Sequence, residues 1–271
     1  MALTLVNHKI PDYSQGGEGR LLIHLLGKLP NLDHTCIEFG AGDGMTLSNT
    51  RHLIECYGYS GTMIESDEVR FSYLKKNALP GTRIVNAAVG WTEATCLDAL
   101  EVPADADVCS IDIDGDDYHV WLAMEKTRPK IVIIEHNPTM SNDVLFVQER
   151  GSRHGSSARS LVELGNQKGY ELTAATMFNL VFVRRELFAA LGIKDNALPT
   201  IRTHTPLVTH VFAGYDGRVF MSGSGRIPWH RWARITEAQL QIMPEALRSY
   251  SRSKWQERAY GLWAKWKGWN A

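Results

Sequence analysis

The chain has 271 residues, 44% hydrophobic and 22% charged, an ordinary globular composition long enough for one large domain or one domain plus a lobe. Its 29 Lys/Arg nearly balance 30 Asp/Glu, for a net charge of −1, so nothing at whole-chain level points to a polyanion such as nucleic acid. No apolar run reaches the roughly 18–20 residues that span a bilayer, no secretory leader pattern opens the chain, and the four cysteines lack C-x-x-C spacing, which together fit a cytoplasmic protein with reduced thiols.

Residues 1–17 read as a polar lead-in ending in Tyr13-Ser14-Gln15-Gly16-Gly17. Leu21, Leu22, Leu25, Leu26 and Leu29 then mark a short amphipathic helix stopped by Pro30. Ser14 and Gln15 stand just ahead of that helix. Next comes Cys36-Ile37-Glu38-Phe39-Gly40-Ala41-Gly42-Asp43-Gly44. A short apolar strand ends in a carboxylate, and glycines at alternate positions let backbone N–H groups approach a ligand closely. Residues 45–55 can continue as a helix, which makes the unit a strand–loop–helix nucleotide cradle. The spelling differs from the phosphate-binding G-x-G-x-x-G. With its acid ahead of the glycines, the loop suits a ligand carrying positive charge and hydroxyls rather than a pyrophosphate.

The second strand, Gly61–Glu65, ends in a carboxylate 25 residues beyond Gly40. At the carboxyl edge of a doubly wound sheet, Glu65 can accept hydrogen bonds from both hydroxyls of a ribose, with Ser66 and Asp67 opening the next helix. The third strand, Arg83–Val89, places Asn86 and Ala87 where such folds read an adenine edge, and Asp98 beyond it reads as a helix cap.

The fourth strand runs into Asp112-Ile113-Asp114-Gly115-Asp116-Asp117-Tyr118, with four carboxylates in six residues. Such a cluster is costly unless a cation or a network of donors offsets it. The fifth strand ends beside it in Glu135-His136-Asn137, so Asp112, Asp114, Glu135 and Asn137 form a candidate hard-cation site for Mg²⁺ or another divalent ion. Residues 138–156 form a long polar loop of the kind that is usually functional or mobile. His154 near its end, His136 and Asp112 are the candidate general bases. A helix over 158–168 and two strands, 170–176 and 180–184, close the pattern as an antiparallel pair.

Residues 13–188 resemble the FkbM-type branch of class I S-adenosylmethionine (SAM) methyltransferases, on Ser14-Gln15-Gly16, Glu38–Gly44, Ser48-Asn49-Thr50, Gly61–Asp67, Ser110–Tyr118, Ile134–Asn137 and Gly155–Leu161. The acidic loop also resembles the D-x-D and D-N strand ends of metal-dependent catechol-type O-methyltransferases and the D-G-D-x-Y loop of macrocin-type ones. The resemblance implies an α/β fold with a doubly wound, mostly parallel seven-stranded sheet, and SAM as methyl donor. It implies a donor site of Gln15, Glu38, Gly40, Gly42, Gly44, Asn49, Glu65, Ser66, Asn86, Ala87 and Asp112. Glu38 and the glycines would face the methionine half, Glu65 the ribose, and Asn86 and Ala87 the adenine. The acceptor it implies is a hydroxyl on a saccharide or small natural product. The family often has I-D-x-E-G where this chain has Ile111-Asp112-Ile113-Asp114-Gly115, and the added acids leave metal dependence open.

Residues 189–271 lie beyond that pattern, as an expected C-terminal extension to a 1–188 methyltransferase domain. Val211–Phe220 reads as a hairpin with an Asp216-Gly217 turn, and Thr236–Leu247 as a helix. Residues 245–271 hold six Lys/Arg, two Glu and four tryptophans. They suit a membrane-surface contact, a glycan-stacking face or a homodimer interface, and the lobe as a whole could cover the acceptor. Two rival readings stand beside the methyltransferase. One is a nucleotide-dependent α/β oxidoreductase. The other is a non-catalytic SAM-binding module whose working surface is the Trp-rich tail.

Overall fold

The structure is a computed structural model that describes residues 12–269. The chain divides into two compact units, one through His204 and one from Thr205 on. The first 11 residues of the polar lead-in lie outside the described residues.

In the first unit the elements are α1 (Glu18–Leu26), β1 (Thr35–Phe39), α2 (Arg51–Tyr57), β2 (Ser60–Glu65), α3 (Glu68–Asn77), β3 (Arg83–Asn86), β4 (Val108–Ile111), α4 (Asp117–Ala123), β5 (Ile131–Glu135), α5 (Ala158–Gln167), β6 (Tyr170–Ala175) and β7 (Asn179–Arg184), followed by the short helices α6 (Arg185–Phe188) and α7 (Leu198–Ile201). The seven strands form one sheet in the order β3-β2-β1-β4-β5-β7-β6. β1 through β5 pair in parallel, and β7 enters antiparallel between β5 and β6. This is a doubly wound, Rossmann-like arrangement. The order reverses at β1 and β4, so the crevice for a ligand opens at the carboxyl ends of these two strands.

The central strands are apolar on both sides because helices cover both faces. Ile37, Phe39, Cys109, Ile111, Val132 and Ile134 pack with Trp121 of α4 and Leu161 of α5. Cys36, Met63, Val108, Ile131 and Ile133 pack with Leu22 and Leu25 of α1, Leu53 of α2 and Leu74 of α3. Trp121 is fully buried, with ring contacts to Phe182 at 4.9 Å and Tyr170 at 5.7 Å. All four cysteines are free, and Cys36, Cys96 and Cys109 are buried. At the opposite edge from the crevice, buried Lys130 reaches Asp107 at 2.7 Å and Asp33 at 2.5 Å. Asp107 also accepts the backbone N–H groups of Asp33 and His34, which ties the entry to β1 onto β4. Asp98 does not cap its own turn. It accepts three successive backbone N–H groups, Glu125 to Thr127, after α4.

The second unit holds a hairpin of β8 (Thr209–Ala213) and β9 (Val219–Gly223), a small pair β10 (Arg226–Ile227) and β11 (Ala233–Arg234), and two helices, α8 (Glu237–Leu240) and α9 (Lys254–Trp266). The hairpin turns at Asp216-Gly217, with Gly217 at φ +84° as such a turn requires. The single helix expected over Thr236–Leu247 is broken. α8 ends at Leu240 and a 3-10 turn, Glu245–Leu247, follows Pro244, because a proline ring blocks a continuing helix and pushes its predecessor out of the helical region. No helix among the described residues is long and apolar enough to cross a membrane.

Candidate active site at the carboxyl edge of the sheet

The glycine loop is held from behind by two buried glutamates. Glu38, at the end of β1, accepts Ser48 Oγ at 2.6 Å, the Asn49 N–H at 2.8 Å and Thr50 Oγ1 at 2.6 Å. Burial pushes its carboxyl up, and the Ser48 and Thr50 hydroxyls partly offset that. These bonds explain why residues 45–50 are not the helix that their composition allows: Ser48, Asn49 and Thr50 fold back onto Glu38, and α2 starts only at Arg51. Glu65, at the end of β2, accepts the Gly42 N–H at 2.7 Å through one oxygen and the Asp67 N–H at 2.8 Å through the other. Each of its oxygens keeps a further lone pair for a ligand hydroxyl.

Gly40, Gly42 and Gly44 all have positive φ, at 73°, 57° and 75°, where a Cβ is strained. They differ in what a Cβ would meet. At Gly40 it would lie 1.6 Å from the Asp112 carbonyl oxygen, and at Gly44 it would lie 2.4 Å from Leu74. At Gly42 it would meet nothing within 4 Å. Gly40 therefore lets the ends of β1 and β4 touch, and Gly44 lets the loop seat on α3. Gly42 faces open space. Arg51 donates to the carbonyls of Gly44 and Asn77, and the Asn77 amide donates to the Asp43 carbonyl, so buried Arg51 and half-buried Asn77 pin the outer half of the loop.

The four acids after β4 divide into two pairs. Asp117 accepts the Ile113 and Gly115 N–H groups at 2.9 and 3.0 Å, and burial pushes its carboxyl up to about 6. Asp116 accepts from the Gln148 side chain at 2.8 Å and from the Gly151 N–H at 2.9 Å. This pair builds the loop and fastens the long 138–156 segment to it. Asp112 and Asp114 instead meet Glu135 of β5, with carboxylate oxygens from all three within 4.8 Å of one another. None of these three carboxylates accepts a hydrogen bond from the described residues. Burial, followed by the charges of Asp117 and Asp114, pushes Asp112 well up, and burial with the Asp112 charge does the same to Glu135. Asp114 has φ +58°, a left-handed backbone that an aspartate adopts more readily than most residues.

Of the remaining expected residues, Asn137 does not join this group. Its amide oxygen accepts both the N–H and the hydroxyl of Thr139, at 2.9 and 2.6 Å, and its amide nitrogen donates to the His154 carbonyl. Both lone pairs are taken, so Asn137 is corrected from metal ligand to loop fastener. His136 is corrected as well. It is 1% exposed, and its ring nitrogens have no partner among the described residues. Burial and the nearby Arg202 guanidinium push it down to about 3. It is a neutral core histidine, sealed from an acceptor hydroxyl. His154 is exposed on the long loop. Gln15 is exposed, and the Ser14 hydroxyl serves α1 by accepting the Gly19 N–H at 3.1 Å. Asn49 is buried: its amide donates to Ser110 Oγ at 3.0 Å, and its Oδ1 is left unpartnered. The Asn86 side chain donates to the Glu65 and Ser66 carbonyls, bracing the end of β2. Ala87 is half-buried against the core.

Three residues central to the site were not singled out from the sequence. Glu18, fully buried at the start of α1, accepts the Gly16 N–H at 2.6 Å, Thr176 Oγ1 at 2.5 Å and the Asn179 amide at 3.1 Å. Asn179 in turn faces Glu135 across the β5–β7 pairing. Gln148 is 1% exposed and binds Asp116, Ser152, His154 and Gly155. An acid directly behind a Gly-Gly pair was a usable signal for Glu18, whereas a lone Gln in a long loop and a lone Asn at the start of a strand carry none.

No family model matches the chain, and no curated protein matches it in sequence. Solved structures to which the chain is similar include DesVI of Streptomyces venezuelae, at 10% identity and a TM-score of 0.41 over 62% of this chain and 90% of that one. CalS10, an amino pentose methyltransferase from Micromonospora echinaspora solved with SAM bound, is at 11% and 0.41 over 62% and 89%. The CMeT domain of the citrinin polyketide synthase is at 14% and 0.39 over 57% of this chain and 48% of that one, so the chain spans about half of that protein's length.

Proposed function

We propose that the chain is a SAM-dependent methyltransferase that methylates a hydroxyl on a saccharide or small natural product. The observation that carries this reading is the glycine loop: two buried glutamates close it from behind, Gly40 touches the Asp112 backbone, and Gly42 opens onto free space. SAM fits these residues. The free lone pairs of Glu65 suit the two ribose hydroxyls. The surrounding carboxylates favour a ligand bearing a sulfonium and an ammonium. The rival dinucleotide site fits less well. A pyrophosphate needs a helix N-terminus next to the glycines, and α2 begins at Arg51, seven residues past Gly44.

SAM would supply an electrophilic methyl group, and the rest falls to the chain. The enzyme must align the acceptor oxygen and take up its proton. Asp112 stands at the end of β4 nearest the glycine loop, and in its ionised form, made strongly basic by burial and the neighbouring acids, it is the residue we assign to the proton. Asp112, Asp114 and Glu135 are hard oxygen donors without partners, the donor set that Mg²⁺ or a similar ion takes. In that alternative the ion would offset their mutual repulsion and lower the acceptor's pKa in place of a carboxylate base. Calorimetry with SAM against NAD, followed by methyl transfer to a panel of saccharides and hydroxylated small molecules with and without EDTA, tests both parts. Heat with NAD and none with SAM overturns the reading, and full turnover in EDTA removes the metal from it.

A further inference from the structure

The charge of this chain is segregated. Residues 205–271 hold ten Lys/Arg against four Asp/Glu, while residues 1–204 hold 19 against 26. The near-neutral total hides a basic second unit behind an acidic first one. α9 ends that unit and has two distinct sides. Inward lie Tyr260, with Arg252 stacked 3.9 Å over its ring, Trp263, which meets Trp269 edge-on, and buried Ala264. Outward lie Trp255, Leu262 and Trp266, at 62%, 73% and 76% exposure. At 3.6 residues per turn these three fall within about 40° of one another. Arg258, Lys265 and Lys254 lie about 60–100° round on one flank, without an ion pair among the described residues. The only acid on α9, Glu257, is paired with Arg252 at 3.8 Å. Tyr250, just before the helix, is 83% exposed.

We propose that α9 is an interfacial helix that seats the protein on an anionic lipid surface. An apolar stripe ending in tryptophans and flanked by Lys/Arg is the composition that settles at the headgroup boundary, with rings at the interface and cations reaching to lipid phosphates. Charge complementarity favours this occupant over a second copy of the same unit, which would bring two basic surfaces together. The aliphatic Leu262 at the centre of the stripe favours it over RNA, because stacking on bases needs aromatic side chains in series. A lipid surface also asks no shape complementarity of a narrow, convex line of side chains.

The test is flotation of the full chain with vesicles of phosphatidylcholine plus phosphatidylserine and with phosphatidylcholine alone. Wild type should float with the anionic vesicles, more weakly with neutral ones, and less at high salt. Reversing Arg258 and Lys265 to Glu should weaken binding at least about 25-fold, at about fivefold per cation near the surface. The variant W255Q/L262Q/W266Q, changed only at exposed positions and checked for an unaltered unfolding midpoint, should no longer float. The proposal is overturned if wild type does not float with anionic vesicles, or if either variant floats as wild type does. Tighter binding to polyuridylate than to the vesicles would overturn it in favour of RNA. A dimer in solution that W255Q/L262Q/W266Q reduces to monomer would overturn it in favour of a second copy.

Discussion

Gly40 and Gly42 share a left-handed backbone, yet replacing each by alanine should have different consequences. At both positions the alanine must adopt positive φ, which costs roughly 1–2 kcal/mol. At Gly42 nothing else opposes it, because the new Cβ meets no atom within 4 Å. At Gly40 the Cβ would lie 1.6 Å from the Asp112 carbonyl oxygen, a backbone atom that cannot swing aside. Relieving that overlap means parting the ends of β1 and β4, with an overpacking cost of about 1–3 kcal/mol. The expected losses are therefore about 1–2 kcal/mol for Gly42→Ala and about 2–5 kcal/mol for Gly40→Ala, a sizeable share of a total near 5–15 kcal/mol. Urea unfolding at equal m-values measures both. Ligand binding should invert the order of severity among folded molecules: Gly42→Ala places a methyl group in the open space assigned to SAM and should weaken SAM binding by about tenfold or more, about 1.4 kcal/mol. Equal stability losses at the two positions would refute the reading of Gly40 as a contact point between strands. Unchanged SAM affinity in Gly42→Ala would refute the assignment of that space to the donor.

Lys130→Met should cost about 3–5 kcal/mol in urea unfolding, because it leaves Asp107 buried, charged and unpaired; a loss below about 1 kcal/mol, the range of surface pairs, would show that the two backbone N–H groups on Asp107 suffice. His136→Leu tests the pH sensitivity of the core. With a folded pKa of about 3 against 6.5 unfolded, His136 gains protons in the unfolded state first, so its contribution to stability is lost as pH falls through that window. Between pH 7 and pH 5 wild type should lose about 2 kcal/mol more than His136→Leu, at 1.36 kcal/mol per pH unit. Parallel stability curves for the two proteins would refute the burial of a neutral ring.

The sheet was legible in the sequence because its strands are short apolar runs that stop at polar residues. Cys36–Phe39, Met63–Ile64, Val108–Ile111 and Ile131–Ile134 can be buried on both faces only in a parallel, helix-covered sheet, and they are. The helix after the glycines was misread, because residues 45–50 have no local reason to avoid helix. The reason is non-local: a glutamate ten residues upstream captures Ser48 and Thr50 hydroxyls in the interior. Thr236–Leu247 failed the other way, since its apolar spacing outweighed Pro244 in the reading but not in the chain.

The site divides along the same line. Residues at strand ends could be placed from topology alone, so Glu38, Glu65, Asp112 and Glu135 arrive together at one edge. What each carboxylate does there depends on donors that come from elsewhere in the chain. Asp116 and Asp117 have them, from Gln148, Gly151, Ile113 and Gly115, and so they shape the loop. Asp112, Asp114 and Glu135 have none, and so they form an unbonded acidic cluster in which burial pushes the Asp112 and Glu135 carboxyls up. A run of four acids thus splits into two that are bonded into the loop and two left without donors. Asn137 and His136, two residues and one residue past Glu135, drop out for the same reason: one has all its bonds made, and the other is shut away from anything to bond.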